Sequence, residues 1–377
     1  MDFAFTREQE MLRNMVREFA ESELAPRALS LDEKGDFPFD ILKKAAKLGL
    51  VGIITAREYG GSNMGHLARM IMIEEISRVY ASLGFYFQTG QIGMYVLQNF
   101  GTEEQKKKYL PPLCNGDEAM CLALTEATGG SDPATLQTTA ELAGDEYIVN
   151  GRKIFATSGG MAGFVCFVAK YGTGTIALLV ERGTPGFDVP RREKSLGLRS
   201  LPVGELVFTN CRIPKSNLVG QEGKGLGIAL TGISGIGRTG AAAVSLGIAR
   251  GAYEAALKYA KERNLYGKPI AQLQSIQFSL VDMNVEIEAA KWLCYYAVWL
   301  LDQGKSSREI GSEIARAKLY ATEVANKVCS KAVQVLGGYG LSPEYHIARR
   351  LRDAQEMWPA AGTQEIMKLT IGAGITR

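Results

Sequence analysis

The chain has 377 residues, 46% of them hydrophobic and 22% charged, and a formal net charge of +3 with both signs interspersed. That length supports more than one hydrophobic core, and the near balance of charge offers no broad field for nucleic acid or anionic lipid. Only two histidines, His66 and His346, and six scattered cysteines without a C-x-x-C pair argue against histidine catalysis, a multi-histidine metal centre and a disulfide framework. The N-terminus MDFAFTREQEMLRNMV lacks the basic end and apolar run of a secretory signal, and no stretch reaches the roughly 18 apolar residues of a membrane span. The expectation is a cytoplasmic protein with reduced thiols.

From Thr6 to about Pro111 apolar residues recur at helical spacing, and Thr6 with Gln9 and Thr102 with Gln105 form capping boxes. Between about Asp117 and Gly220 short alternating runs such as EYIVNG, GFVCFVAKY and TIALLVE read as antiparallel strands. Helical periodicity returns after GQEGKG in four segments, roughly 226–263, 271–303, 306–337 and 343–372. The predicted organisation is therefore helical over 1–117, sheet over 118–222 and helical over 223–377. Helices segregated on either side of a sheet, with no strand leading into G-x-G-x-x-G, argue against a nicotinamide-type Rossmann site.

Several stretches can carry chemistry. GFYFQTGQIGMYVLQNF, at 84–100, places Gln88, Thr89, Gln91, Met94 and Tyr95 at helical spacing, either as core or as polar groups able to orient a ligand. LTEATGGSD, at 124–132, follows a strand end with a glycine turn whose N–H groups can face an anion or ring acceptors. VNGRKIFATSGG, at 149–160, reads as an Asn150-Gly151 hairpin turn followed by Phe155 and Thr157 on one face, an aromatic and a hydroxyl suited to a flat heterocycle. Small residues from Gly232 to Gly251 mean either close helix packing or room for a bulky ligand. Arg263, beside Tyr266 and Gly267, has the planar fork that suits a pyrophosphate, and Gln274 opens the next helix. Gln334 is a polar residue in an apolar helix end, which requires partners if buried. RRLRDAQEM, at 349–357, reads as a solvated, salt-bridged helix face.

Together these motifs resemble the acyl-CoA dehydrogenase family along the whole chain: L-T-E-x-x-x-G-S-D at 124–132, N-G-x-K-x-F-x-T at 150–157, R-x-x-Y-G with Gln274, Q-x-x-G-G at 334–338, R-D-A at 352–354 and G-T-x-x-I at 362–366. The resemblance implies an α+β, mostly α fold: an N-terminal helical domain, a middle antiparallel β-domain and a C-terminal four-helix bundle. It also implies a homotetramer that binds FAD and a CoA thioester, with electron-transferring flavoprotein as a possible acceptor. By the same resemblance Leu122, Leu124, Thr125, Gly130 and Ser131 line the flavin, with Ser131 also reaching substrate. Phe155 and Thr157 lie against its ring, and Thr363 and Glu365 are the last FAD contacts. Arg263, Tyr266, Gln274, Gln334 and Gly338 would reach the FAD of a neighbouring subunit. Arg238, Gln88, Met94, Tyr95 and Gly362 are substrate-side candidates, with Gln91 an acyl-pocket candidate.

Two departures from the family pattern bear on the reaction. The glutamate that removes the α-proton immediately precedes G-T in the common pattern, where this chain has Ala361, and an alternative branch places it where this chain has Gly237. Neither residue can take a proton, although Ala361 still offers the backbone N–H that holds the thioester carbonyl in the family. Three expectations follow: a FAD oxidoreductase for an unusual cyclic or unsaturated acyl-CoA with a displaced or absent base, a FAD-containing lyase or desulfinase, or a silent acyl-CoA- and flavin-binding scaffold.

Overall fold

The computed structural model describes residues 4–376, so the first three residues of the N-terminal segment read above lie outside it. Six helices open the chain: α1 (Arg7–Phe19), α2 (Ala28–Lys34), α3 (Phe39–Lys47), α4 (Gly65–Val79), α5 (Ala81–Phe100) and α6 (Glu103–Cys114). Both expected capping boxes form. The hydroxyls of Thr6 and Thr102 accept the N–H groups of Gln9 and Gln105, whose side chains in turn accept the cap residues' N–H groups. Helices α4 and α5 are buried almost throughout, as expected of helices enclosed on every side rather than amphipathic at a surface.

The middle of the chain forms β1 (Met120–Ala123), β2 (Thr139–Ala143), β3 (Glu146–Thr157), β4 (Phe164–Tyr171), β5 (Gly174–Glu181), β6 (Phe187–Arg192), β7 (Val203–Pro214) and β8 (Leu218–Val219). They make one eight-stranded sheet in the order β6-β7-β3-β2-β4-β5-β8, with β1 pairing β4. The sheet is mixed rather than wholly antiparallel, because β1 and β2 run parallel to β4. Asn150-Gly151 is not a hairpin turn. The β2–β3 reversal occurs at Gly144, which has φ +65°, and Gly151 lies inside β3 at an irregularity opposite β7. Gly151 has φ +146°, and a Cβ there would meet Thr138 at 2.5–2.7 Å, so the glycine serves close approach.

The remaining helices are α7 (Gly225–Gly232), α8 (Arg238–Glu262), α9 (Gln274–Asp302), α10 (Gly311–Leu336), α11 (His346–Glu356) and α12 (Gln364–Ile375), with a small hairpin of β9 (Asn264–Leu265) and β10 (Lys268–Pro269) before α9. Two predicted continuous segments are broken. A π-helical turn at Ile233–Gly237 separates α7 from α8, and the loop after Glu356 separates α11 from α12. The glycines of the α8 region provide close packing rather than room. A Cβ on Gly240 would come 2.2 Å from Gln88 Cγ, one on Gly247 2.4 Å from the Glu74 carbonyl oxygen, and one on Gly251 2.2 Å from that of Arg78.

The charge run of α11 is a buried clamp, not a solvated face. Arg349 is 2% exposed and donates to the Val79 carbonyl at 2.7 Å, while Asp353 accepts the Leu198 N–H at 2.7 Å and Glu356 that of Gly197 at 3.0 Å. These bonds tie α11 to the end of α4 and to the loop before β7. That loop is one wall of the cavity described next.

Candidate active site

A cavity of about 780 Å³ opens where the sheet, α5, the start of α8 and the α11–α12 loop meet. Its sheet side is made by Leu122, Leu124, Thr125, Gly130, Ser131, Phe155 and Thr157, all of which resemblance assigned to the flavin. Two motif segments are held side by side there by a buried ion pair that the sequence reading left unpaired. Lys153 Nζ donates to Glu126 Oε1 at 2.6 Å and to the Leu124 carbonyl at 3.3 Å, while Glu126 also accepts the N–H groups of Gln137 and Thr138. Burial lowers the Lys153 pKa against the pull of Glu126; burial would raise the Glu126 pKa, but Lys153 and the backbone donors leave it lowered. The legible signal was one acid and one base standing in the two motifs, Glu126 in L-T-E and Lys153 in N-G-x-K.

Phe155 is presented unusually. Strand β3 slips register against β7 between Lys153 and Ala156, and Phe155 occupies a left-handed conformation at φ +51° with 63% of its surface exposed. A large apolar ring so held is explained by a flat partner that covers it. Phe155 and Thr157 share the cavity through this bulge, not through simple strand alternation. With the hydroxyls of Thr125, Ser131 and Thr157 around it, the surface suits a heterocycle with apolar faces and a polar edge, as FAD presents.

The opposite wall carries Gln88, Arg238, Ala361, Gly362 and Thr363. Thr363 caps α12, accepting the Ile366 N–H at 3.4 Å. Ala361, at φ +55°, and Gly362, at φ +114°, form the turn before it. Gly237 stands directly across: a Cβ built on it lies 3.4 Å from Ala361 Cβ and 3.7 Å from Gln88 Nε2. Positions 237 and 361 therefore meet at one place in space. Gln88 Nε2 donates to the Gly237 carbonyl at 2.9 Å, and its Oε1 is buried without a partner among the described residues. Arg238 Nε is likewise buried and unpartnered, and burial lowers its pKa. The acids on the cavity wall are Glu193, which pairs with Arg191 at 3.2 Å, and Glu356, which holds the Gly197 N–H.

Other candidates lie elsewhere. Gln91 is not an acyl-pocket residue: it is 2% exposed and bridges Arg69 Nε, at 2.6 Å, to the Val51 carbonyl, at 3.1 Å. Its partner Arg69 is fully buried and pushed down to about 9 by desolvation. Met94 and Tyr95 do not line the cavity either. A helix turns about 100° per residue, so Met94 faces a core formed with Met120 and Leu97, and Tyr95 packs against the helical core. Arg263, Tyr266, Gln274, Gln334 and Gly338 are all exposed and apart from this cavity; the Arg263 guanidinium lies 6.0 Å from the Tyr339 ring centre. Gln334 therefore needs no buried partner. Glu365, in the first turn of α12, is also exposed and outside the cavity.

The acyl-CoA dehydrogenase N-terminal domain matches residues 6–117, the middle domain residues 121–211 and the C-terminal domain residues 223–376. The chain belongs to the acyl-CoA dehydrogenase family. Among its relatives, the short-chain specific acyl-CoA dehydrogenase of Clostridium acetobutylicum is 42% identical over 100% of each chain. The acryloyl-CoA reductase (NADH) of Anaerotignum propionicum is 40% identical over 100% of this chain and 96% of its own. The structure of butyryl-CoA dehydrogenase from Megasphaera elsdenii superposes with a TM-score of 0.96 at 36% identity, covering 100% of both chains. As an acyl-CoA dehydrogenase family member the protein is an FAD-binding flavoenzyme, an oxidoreductase acting on CH–CH groups. No helix among the described residues is long and apolar enough to cross a membrane.

Proposed function

We propose that the protein is an acyl-CoA oxidoreductase for an acyl group whose reaction does not need a carboxylate at the α-carbon, such as a cyclic or already unsaturated acyl-CoA, in either direction. The carrying observation is that a Cβ built on Gly237 would lie 3.4 Å from the Ala361 Cβ, while neither residue contributes an ionisable atom. Bound FAD supplies hydride exchange with the substrate carbon. Leu122, Leu124, Thr125, Gly130, Ser131, Phe155, Thr157 and Thr363 hold its ring. The Ala361 N–H donates to the thioester oxygen, and Arg238 adds positive potential to the same wall, so the carbonyl is polarised without a base beside it. Arg263, Tyr266, Gln274, Gln334 and Gly338 serve the FAD of a neighbouring subunit in a homotetramer, which accounts for their exposure in one chain. Electron-transferring flavoprotein is the proposed acceptor.

An acyl-CoA panel tests this. Mixed without oxygen, the FAD-loaded protein should be bleached by a cyclic enoyl-CoA whose acidic hydrogen is at the γ-carbon and remain yellow with butyryl-CoA. Rapid bleaching by butyryl-CoA overturns the reading. Sulfite release from a sulfinyl acyl-CoA without bleaching would favour a lyase instead.

A further inference from the structure

The loop that presents Ala361 is pinned from beneath by one buried cation. Lys318, on the inner face of α10, is fully buried, and its ammonium donates to the Trp358 carbonyl at 2.7 Å, the Gly362 carbonyl at 2.8 Å and Gln364 Oε1 at 3.3 Å. An ammonium has three protons, and three acceptors use them all. Its hydrogen-bond partners are two backbone carbonyls and one side-chain amide, none of them a carboxylate. The two carbonyls bracket Ala361 on both sides and close a turn whose last two residues have φ +55° and +114°.

We propose that Lys318 is the positioning residue for thioester activation: by fixing both ends of the Trp358–Gly362 turn it aims the Ala361 N–H at the acyl carbonyl. This rests on the reading above that the Ala361 N–H is that donor. Without the ammonium the turn loses charge-assisted bonds at both ends, and a strained left-handed alanine is free to relax. The environment also makes the anchor titratable. Burial, reinforced by the Arg238 guanidinium from α8 and opposed by Glu365 from α12, pushes the Lys318 ammonium down to about 8. Gln364 and Thr322, which also face it, carry no charge. Once neutral, the amine has two protons for three acceptors, so the turn loosens as pH rises through that value.

The test uses FAD-loaded enzyme and crotonyl-CoA labelled with ¹³C at the thioester carbon, read by infrared spectroscopy. In the wild type at pH 7 the bound carbonyl band should shift to lower frequency, and that shift should shrink between pH 7 and 9. In Lys318→Met the shift should be largely lost, and binding of crotonyl-CoA relative to its carbonyl-free thioether analogue should fall about tenfold, the scale of one neutral hydrogen bond. FAD content is measured alongside, because a merely structural role would lower both ligands' binding together. An unchanged band in FAD-loaded Lys318→Met overturns the proposal. If that variant does not fold, a wild-type band constant from pH 7 to 9 overturns it. A wild-type band with no shift at pH 7 instead refutes the Ala361 donor itself.

Discussion

Restoring a carboxylate at position 361 should create an ordinary dehydrogenase activity that the wild type lacks. Ala361 already occupies φ +55°, so Ala361→Glu replaces one L residue by another at no added backbone cost. The new side chain enters a cavity of about 780 Å³, where Arg238 favours its ionised form. General-base assistance contributes about 10²–10⁴-fold, or about 3–5 kcal/mol of barrier. The assay is anaerobic rapid mixing with butyryl-CoA, following FAD absorbance; the variant should reduce its flavin at least about 10²-fold faster than the wild type. Gly237→Glu should recover less, because a Cβ there already lies 3.2 Å from Ile92 Cδ1. A wild type that reduces its flavin as fast as Ala361→Glu would refute the assignment of a vacant base.

Phe155→Ala should leave the stability of the FAD-free protein within about 0.5 kcal/mol, since the ring is exposed there, but release FAD on gel filtration; a large stability loss would place the ring in the core instead. Lys153→Met strands Glu126 and should cost about 3–5 kcal/mol with loss of FAD, measured by denaturant unfolding. Because the Glu126 pKa lies below its usual 4.5 in the folded protein, its contribution is present above that pH and lost as pH falls below it; a stability curve flat from pH 5 downward would contradict this. Gln91→Leu leaves Arg69 Nε unpaired and should cost about 1–3 kcal/mol without reordering acyl-CoA preference. Glu356→Gln keeps an oxygen to accept the Gly197 N–H and should lower turnover less than about tenfold; a loss of 10² or more would identify Glu356 as the displaced base.

The helix, sheet and helix order was legible because burial imposes a period of 3.6 on α1 and close to 2 on strands such as β7, and the capping boxes were legible because both partners are local. Long-range partners were not. The α11 run resembles a solvated face because nothing nearby in sequence reveals that Val79 and Leu198 cover it. Asn150-Gly151 carries a hairpin signature, yet Gly144, earlier in the chain, makes the reversal, and the glycine at 151 answers to Thr138 across the sheet. Most flavin-side residues converge because they flank two strand ends joined by Lys153 and Glu126. Gln91 was misplaced because helical spacing alone does not say which face of a fully buried helix meets a cavity. Lys318 stands on the buried face of α10 with no acid three or four residues away, a signal that only the α11–α12 loop explains.

Hydrogen exchange at the substrate's α-carbon separates proton removal from electron transfer. FAD-loaded wild type incubated with butyryl-CoA in D₂O should leave the α-position unlabelled by mass spectrometry, beyond the uncatalysed background, while Ala361→Glu should label it. Enzyme-dependent deuterium uptake by the wild type would contradict the account, because some group other than those at 361 and 237 would then be removing that proton.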